Sequence, residues 1–186
     1  RCNLSSSPAA DNRFSVPQRR SIRKYKDQPV SEQQVREILW AASNAPSWTN
    51  SQPSRYFVAM GTARDAVAEM LPQFNKNNVI NAPVLIVSCV KKGTSGYRKD
   101  GTAATHLDDG FLHFDNGLRV QNICLKALDM GLGTLIMGLY DEKAIREYFE
   151  IDDSLEIVCV LSVGVPADQP DARPRKSVDE IAVFKK

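Results

Sequence analysis

One continuous apolar run constrains the fold of this chain more than any other feature. Residues 83–90 read Pro-Val-Leu-Ile-Val-Ser-Cys-Val, which has the length of a strand and no polar alternation. A strand that is apolar on both faces is normally covered on both, so this one is predicted to lie inside a sheet. Two further apolar segments, at 55–60 and 156–164, are predicted to be strands as well.

Helical periodicity occupies much of the remaining chain. Apolar residues recur at helical spacing over 31–43, where Ser31 and Gln34 have the spacing of a capping box. A long segment at about 113–130 is apolar around most of its circumference, which indicates a central helix or one covered by a second subunit. Two shorter helices are also expected, one capped by Thr62 with Asp65 and ending at Pro72, and one capped by Asp141.

Length and composition limit the possible classes of protein. The chain has 186 residues, 42% of them hydrophobic, which suits one globular domain. We expect this domain at 18–186 and an extended or disordered N-terminal arm at 1–17. A net charge of +2 gives no support for a nucleic-acid partner, and no apolar run approaches the ~20 residues of a transmembrane helix. A cytoplasmic location is the default, although Cys2 near a trimmed start leaves export or a lipid tether open.

The cysteines and histidines predict no metal site. The four cysteines are isolated and three of them lie in apolar segments, so they are expected to behave as small buried residues. His106 and His113 belong to no His-Glu-x-x-His pattern, and both are expected in loops or on the surface.

A basic cluster at 19–26 is the first candidate for a binding site. It contains five cations and Ser21, and forked guanidinium donors beside a hydroxyl can bind a dianion such as a terminal phosphate. A solvated basic segment is the simpler explanation. Three further polar segments, at 44–53, 131–138 and 173–176, favour a phosphorylated cofactor contacted from several directions.

Two of the polar segments have distinctive chemistry. The loop at 44–53 carries seven side chains that can form hydrogen bonds, and prolines stiffen both ends. Trp48 could stack on a planar ring or fill a gap in the core, and the amides of Asn50 and Gln52 could read the edge of a heterocycle. The segment at 91–110 is polar and rich in glycine, which is compatible with a mobile lid, a substrate-side loop or plain disorder.

The glycines at 131–138 do not form a dinucleotide-binding motif. Their spacing is Gly-x-Gly-x-x-x-x-Gly, they follow a helix, and no helix begins on them. Gly131 is expected to end the preceding helix. The rest of this bend would present main-chain N–H groups to a ligand near Gly138.

Five motifs in order make the chain resemble the nitroreductase family of FMN-dependent oxidoreductases. They are Arg-Arg-Ser-Ile-Arg at 19–23, Ala-Pro-Ser-Trp-Thr-Asn-Ser-Gln-Pro at 45–53, Asn-Ala-Pro-Val at 81–84, Gly-Leu-Gly-Thr at 131–134 and Pro-Arg-Lys at 174–176. The resemblance implies an α+β fold with a central mixed or antiparallel sheet flanked by helices, in an intertwined homodimer. It also implies FMN, NADH or NADPH as electron donor, and a ping-pong reduction of a nitroaromatic, a quinone or a related small acceptor.

The resemblance also assigns roles to individual residues. No catalytic side chain is implied, because the flavin carries the chemistry. The residues implied to bind the cofactor are Arg19, Arg20, Ser21 and Arg23 with Arg173 and Arg175 at its phosphate, Pro46, Ser47, Trp48, Asn50 and Gln52 from the partner chain, and Leu135, Ile136, Met137 and Gly138 at the ring.

Some features depart from the family pattern. Relatives commonly have a helix before the basic cluster, and Trp48 stands where a small residue is usual, so it would narrow the substrate pocket. The same scaffold also serves dehalogenation, enone reduction and flavin fragmentation. Alternative interpretations are a flavin-binding protein without turnover, or an interaction domain whose basic patches bind an acidic partner.

Overall fold

A computed structural model describes residues 15–186. These residues form four strands and seven helices, with a short 3₁₀ turn at Trp48–Asn50. In chain order the elements are α1 (Ser15–Gln18), α2 (Glu32–Ser43), β1 (Ser54–Met60), α3 (Thr62–Glu69), α4 (Gln73–Asn78), β2 (Val84–Lys91), α5 (Gly110–Asp129), β3 (Gly133–Met137), α6 (Glu142–Tyr148), β4 (Leu155–Gly164) and α7 (Val178–Ile181).

The strands form one antiparallel sheet in the order β1-β2-β4-β3. Strand β2 is central and buried from Val84 to Val90, as the apolar run predicts. Strand β3 was missed, because its five residues lie where the glycines suggest a bend. The α+β class with an antiparallel sheet flanked by helices is therefore confirmed.

Each face of the sheet has its own core. Alternate side chains of β2 point in opposite directions, so Leu85 and Val87 pack with α3 and α6, whereas Val84 and Ile86 pack with α2 and α5. Helix α5 supplies a long buried stripe to the second core. Its central position against the sheet agrees with the prediction from its apolar circumference.

The helix ends follow their local sequence in most places. The Ser31 and Gln34 capping box forms, and Asp141 caps α6. The predicted Thr62 cap is wrong, since Gly61 occupies the cap position and α3 begins at Thr62. At the end of α5, Gly131 has a φ of +72°, and the N–H groups of residues 131 and 132 bond back into the last helical turn, which is the expected stop.

Other predictions are modified at the termini and in the loops. Residues 1–14 lie outside the described part, and α1 begins at Ser15, within the last three residues of the expected arm, so the arm at 1–17 stays a prediction. Segment 91–110 is not disordered, since it folds back on itself through a bridge between Tyr97 and Ala103. None of the helices between residues 15 and 186 has the length and apolar character needed to cross a membrane.

The cysteines in the described part behave as small apolar residues. Cys89, Cys124 and Cys159 are free and buried. Burial raises the pKa of Cys89 to about 12 and that of Cys159 to about 12, so these thiols stay protonated. His106 and His113 are exposed, as expected.

Candidate functional site

The basic cluster runs along the outer edge of β3. Ser21 forms a parallel bridge with Thr134, and the N–H of Ile22 donates to the carbonyl of Thr134 at 2.9 Å. Further along, Tyr25 bridges to Pro166. Ile22 and Tyr25 are buried in the first core. These two anchors hold the backbone, so they fix where the side chains of the neighbouring cations begin.

Two glycines make room for the anchors. A Cβ on Gly133 would lie 2.4 Å from Cγ1 of Ile22, and a Cβ on Gly164 would lie 2.8 Å from Cδ1 of Tyr25. The Tyr25 hydroxyl bonds the Ile22 carbonyl at 2.9 Å and the Ser162 hydroxyl at 2.8 Å. Its enclosure raises the pKa of Tyr25.

The C-terminal tail brings two more cations to the cluster. The N–H of Ala167 donates to the carbonyl of Lys24 at 2.9 Å, which turns the tail along the basic segment. A cavity of about 260 Å³ lies between them. It is lined by Arg19, Arg20, Ser21, Arg23, Pro170, Asp171, Arg173 and Arg175. All six residues predicted for a phosphate are therefore brought together.

One donor of a residue that lines this cavity lacks an acceptor. Nε of Arg20 is buried and has no hydrogen-bond partner within the described part of the chain, although Nη1 of the same group donates to the carbonyls of Pro17 and Arg19. An unsatisfied buried donor costs about 1–3 kcal/mol. An anion in the cavity would relieve this cost and the mutual repulsion of the cations.

The polar loop adopts an unusual backbone. Thr49, Asn50 and Gln52 have φ angles of 44°, 58° and 48°, and this conformation costs roughly 1–2 kcal/mol for a residue such as Thr49 or Gln52 and less for an asparagine. Within the loop, the N–H of Gln52 donates to Oγ of Ser47 at 3.0 Å. Strain of this kind concentrates at functional sites.

Trp48 does not fill a gap in the core, and its ring is not free of contacts. It is half-buried, lies outside both cores, and packs on Phe111 with ring centroids 4.8 Å apart. Phe111 in turn contacts Phe114, which is exposed. The loop thus presents an aromatic surface beside its amides.

Within one chain, the polar loop and the basic cavity lie near opposite ends of helix α5. The loop contacts Asp115 near the start of α5, whereas Arg19 and Arg20 lie with Cys124 and Leu128 around a second cavity near its end. Nine to thirteen residues at 1.5 Å per residue separate these contacts by roughly 14–20 Å. The cavity that holds the arginines includes none of the loop residues.

The segment predicted to face the ring is a strand rather than a bend. Leu135 and Met137 point into the first core, with 4% and 3% exposed, so their side chains cannot contact a surface ligand. Ile136 points outward and is 48% exposed. The carbonyl of Thr134 faces the outer edge, where it bonds Ile22. Because main-chain groups alternate along a strand, those of Ile136 face that edge too.

Comparison with known proteins identifies the family. The model of the nitroreductase family matches residues 16–78 and 68–165. The chain belongs to the nitroreductase family. The resemblance drawn from the five motifs is thereby confirmed.

Several relatives of this nitroreductase-family chain have names that state an activity. A protein of Archaeoglobus fulgidus, provisionally named NADH dehydrogenase/NAD(P)H nitroreductase, is 32% identical over 82% of this chain and 84% of its own length. The FMN reductase [NAD(P)H] of Bacillus subtilis is 25% identical over 87% of this chain and 68% of its own length.

Solved structures share the fold. One from Exiguobacterium sibiricum, provisionally named a nitroreductase and crystallised with FMN, has a TM-score of 0.83 at 24% identity and covers 97% of this chain and 100% of its own. One from Desulfovibrio desulfuricans, also provisionally named a nitroreductase and in complex with FMN, has a TM-score of 0.76 at 26% identity. The match covers 95% of this chain and 98% of its own.

Sequence reasoning missed the polar residues of α5 in this nitroreductase-family chain. Asp115, Asn116 and Arg119 are buried. Oδ1 of Asn116 accepts hydrogen bonds from the hydroxyls of Ser54 and Ser88 at 3.0 and 2.9 Å. The available signal was the presence of charged and amide residues within an otherwise apolar helix, since such residues are seldom fully buried.

Proposed function

We propose that this chain is an FMN-dependent oxidoreductase, which takes a hydride from NADH or NADPH and reduces a small organic acceptor such as a nitroaromatic or a quinone. The observation that carries this proposal is the cavity in which five arginines and Ser21 converge. Guanidinium groups and a hydroxyl suit the terminal phosphate of a flavin mononucleotide. The names of the relatives and the FMN in two structures of the same fold support the same cofactor.

The residues present fit this cofactor. Nε of Arg20 is enclosed without an acceptor among the described residues, which a phosphate oxygen would supply. Arg173 and Arg175 approach from the tail, so the phosphate would be contacted from two segments of the chain. The exposed Ile136 and the main-chain groups at the outer edge of β3 would then lie along the ring.

The chain itself needs no titratable catalytic group. Bound FMN would supply reversible hydride transfer, and the protein would supply position and electrostatics. Main-chain N–H groups beyond Thr134 would stabilise negative charge on the ring without a change in protonation. NAD(P)H and the acceptor would use the same face in turn, which is a ping-pong order.

A homodimer would complete the site. In one chain the polar loop and the basic cavity are separated along α5, so we propose that Pro46, Ser47, Trp48, Asn50 and Gln52 act on the cofactor of the partner. The tail also exposes Val178, Ile181, Val183 and Phe184. A run of exposed apolar side chains is typical of a surface that another chain covers. A monomer by light scattering of the FMN-loaded protein would overturn this assembly.

An absorbance spectrum tests the cofactor directly. The purified protein, or protein incubated with FMN and passed through a desalting column, should retain the bands of oxidised flavin. Anaerobic addition of NADPH or NADH should bleach them, and a quinone or a nitroaromatic should restore them. Retained flavin that neither nucleotide bleaches would favour a carrier without turnover, and absence of flavin would overturn the proposal.

A further inference from the structure

A buried carboxylate holds the polar loop from beneath. Asp115 lies in α5 with 2% of its surface exposed. Its Oδ2 accepts a hydrogen bond from the main-chain N–H of Trp48 at 2.9 Å and another from the hydroxyl of Ser95 at 2.7 Å. Burial of a carboxylate is unfavourable unless hydrogen bonds and a compensating charge offset it. The hydrogen bonds that Asp115 accepts must therefore offset the cost of burying its carboxylate.

Ser95 extends the contact to a second segment. It belongs to segment 91–110, and its side chain is fully enclosed. Since its proton goes to Asp115, the hydroxyl of Ser51, 2.7 Å away, donates to it in turn. One carboxylate and one hydroxyl thus join α5, the polar loop and segment 91–110.

A second buried charge lies on the same helix. Arg119 stands one helical turn beyond Asp115 and is 3% exposed. Its Nε and Nη2 are enclosed and find no hydrogen-bond partner among residues 15–186. Opposite charges at this spacing attract each other, and the direct contacts of the Asp115 carboxylate are the hydrogen bonds from Trp48 and Ser95.

The backbone conformation of the polar loop depends on contacts with helix α5. Thr49, Asn50 and Gln52 are left-handed, a shape that the chain would leave if its contacts were lost. Asp115 fixes the backbone of Trp48, and Phe111, one helical turn before Asp115, packs on its ring. Backbone and ring are therefore held by the same end of α5.

We infer that Asp115 is a positioning residue: through Trp48 directly and through Ser95 to Ser51, it keeps the polar loop in the shape that receives the flavin and ties segment 91–110 to that shape. This inference rests on the proposed function, because it takes the loop to contact FMN. On this inference, segment 91–110 affects the affinity for the cofactor through the hydroxyl of Ser95.

The test compares alanine variants of two serines that are both fully buried. Ser95→Ala removes the link, whereas Ser88→Ala removes a fully buried hydroxyl that bonds Asn116, the neighbour of Asp115, and does not touch the loop. We expect Ser95→Ala to raise the Kd for FMN roughly 5- to 10-fold, the value of one or two hydrogen bonds. Ser88→Ala should change it less than about 2-fold.

A second measurement needs no flavin. In a Trp40→Phe background Trp48 is the sole tryptophan, and its emission reports the loop in the cofactor-free protein. Acrylamide quenching of this emission should increase in Ser95→Ala and, more strongly, in Asp115→Asn, which replaces the charged acceptor of both the Trp48 N–H and the Ser95 hydroxyl. It should be unchanged in Ser88→Ala.

The outcomes are distinguishable. If the parent protein does not bind FMN, the proposed function fails, and the quenching experiment still decides whether Asp115 positions the loop. If the parent binds FMN but Ser95→Ala and Ser88→Ala give equal Kd values and equal quenching, Asp115 and Ser95 serve stability alone and the inference is overturned.

Discussion

Gly133 lies directly beneath Ile22, so that a Cβ at position 133 would come within 2.4 Å of Cγ1 and 2.9 Å of Cβ of that side chain. The same Cβ would be 3.0 Å from Cγ of Pro166. The absence of a side chain here lets the basic segment pack on the edge of the sheet. This requirement explains the glycine better than any role in a nucleotide-binding motif.

Gly133→Ala should therefore displace the basic segment. We expect a loss of about 1–3 kcal/mol in the free energy of unfolding, as for other overpacked sites, and weaker FMN binding, because the arginines follow Ile22. Urea unfolding and FMN titration measure the two effects. Gly138→Ala is the control for stability, since its Cβ would meet nothing within 4 Å. Equal stability of the two variants would contradict this account of Gly133.

Arg175→Ala separates phosphate recognition from ring recognition. Loss of one charged hydrogen bond of about 1.5–3 kcal/mol should raise the Kd for FMN roughly 10- to 100-fold. Riboflavin lacks the phosphate, so its weaker binding should be unaffected. Arg36→Ala removes an exposed arginine that pairs with Glu32, and it should alter neither Kd. If Arg175→Ala lowered the affinity for FMN and for riboflavin equally, Arg175 would not contact the phosphate.

The sequence predicts the parts of this fold whose causes are local. The central strand at 83–90, the capping box at Ser31 and the stop at Gly131 each depend on a few neighbouring residues. Strand β3 depends instead on pairing with β4, 23 to 31 residues further along the chain. Its glycine is explained by the close approach of Ile22 and Pro166. Local patterns carry no information about such contacts.

The candidate site divides in the same way. The arginines of the cavity were recognisable from their motifs, but the fates of Leu135 and Met137 were not, because the face of an unrecognised strand is unknown. Asp115 was not predicted to support the loop, since its partners Trp48 and Ser95 are distant in sequence. What sequence reasoning missed are contacts between segments.

Alkaline pH should destabilise the fold. Burial raises the pKa of Cys89 to about 12 and that of Cys159 to about 12, from an ordinary value of 9.0. The folded protein therefore keeps protons that the unfolded chain releases, so stability is full below pH 9 and falls as the pH rises from 9 towards 12. Urea unfolding at pH 8, 9 and 10 measures the decline. In Cys159→Ala the free energy of unfolding should fall less steeply with pH. An unchanged slope would contradict the attribution of the decline to the buried thiols.

A charge on the outward face of β3 would report how close the ring lies. Ile136 is 48% exposed, so Ile136→Asp should fold. A negative charge near the ring disfavours electron uptake by about 1 kcal/mol, which lowers a two-electron midpoint potential by roughly 20 mV. Leu139→Asp, at a 62% exposed position beyond the strand, is the matched control and should have a smaller effect. Spectroscopic titration of the flavin-loaded variants against a reference dye gives both potentials. If Ile136→Asp leaves the potential unchanged, the ring does not lie along the edge of β3, even if the arginines hold the phosphate.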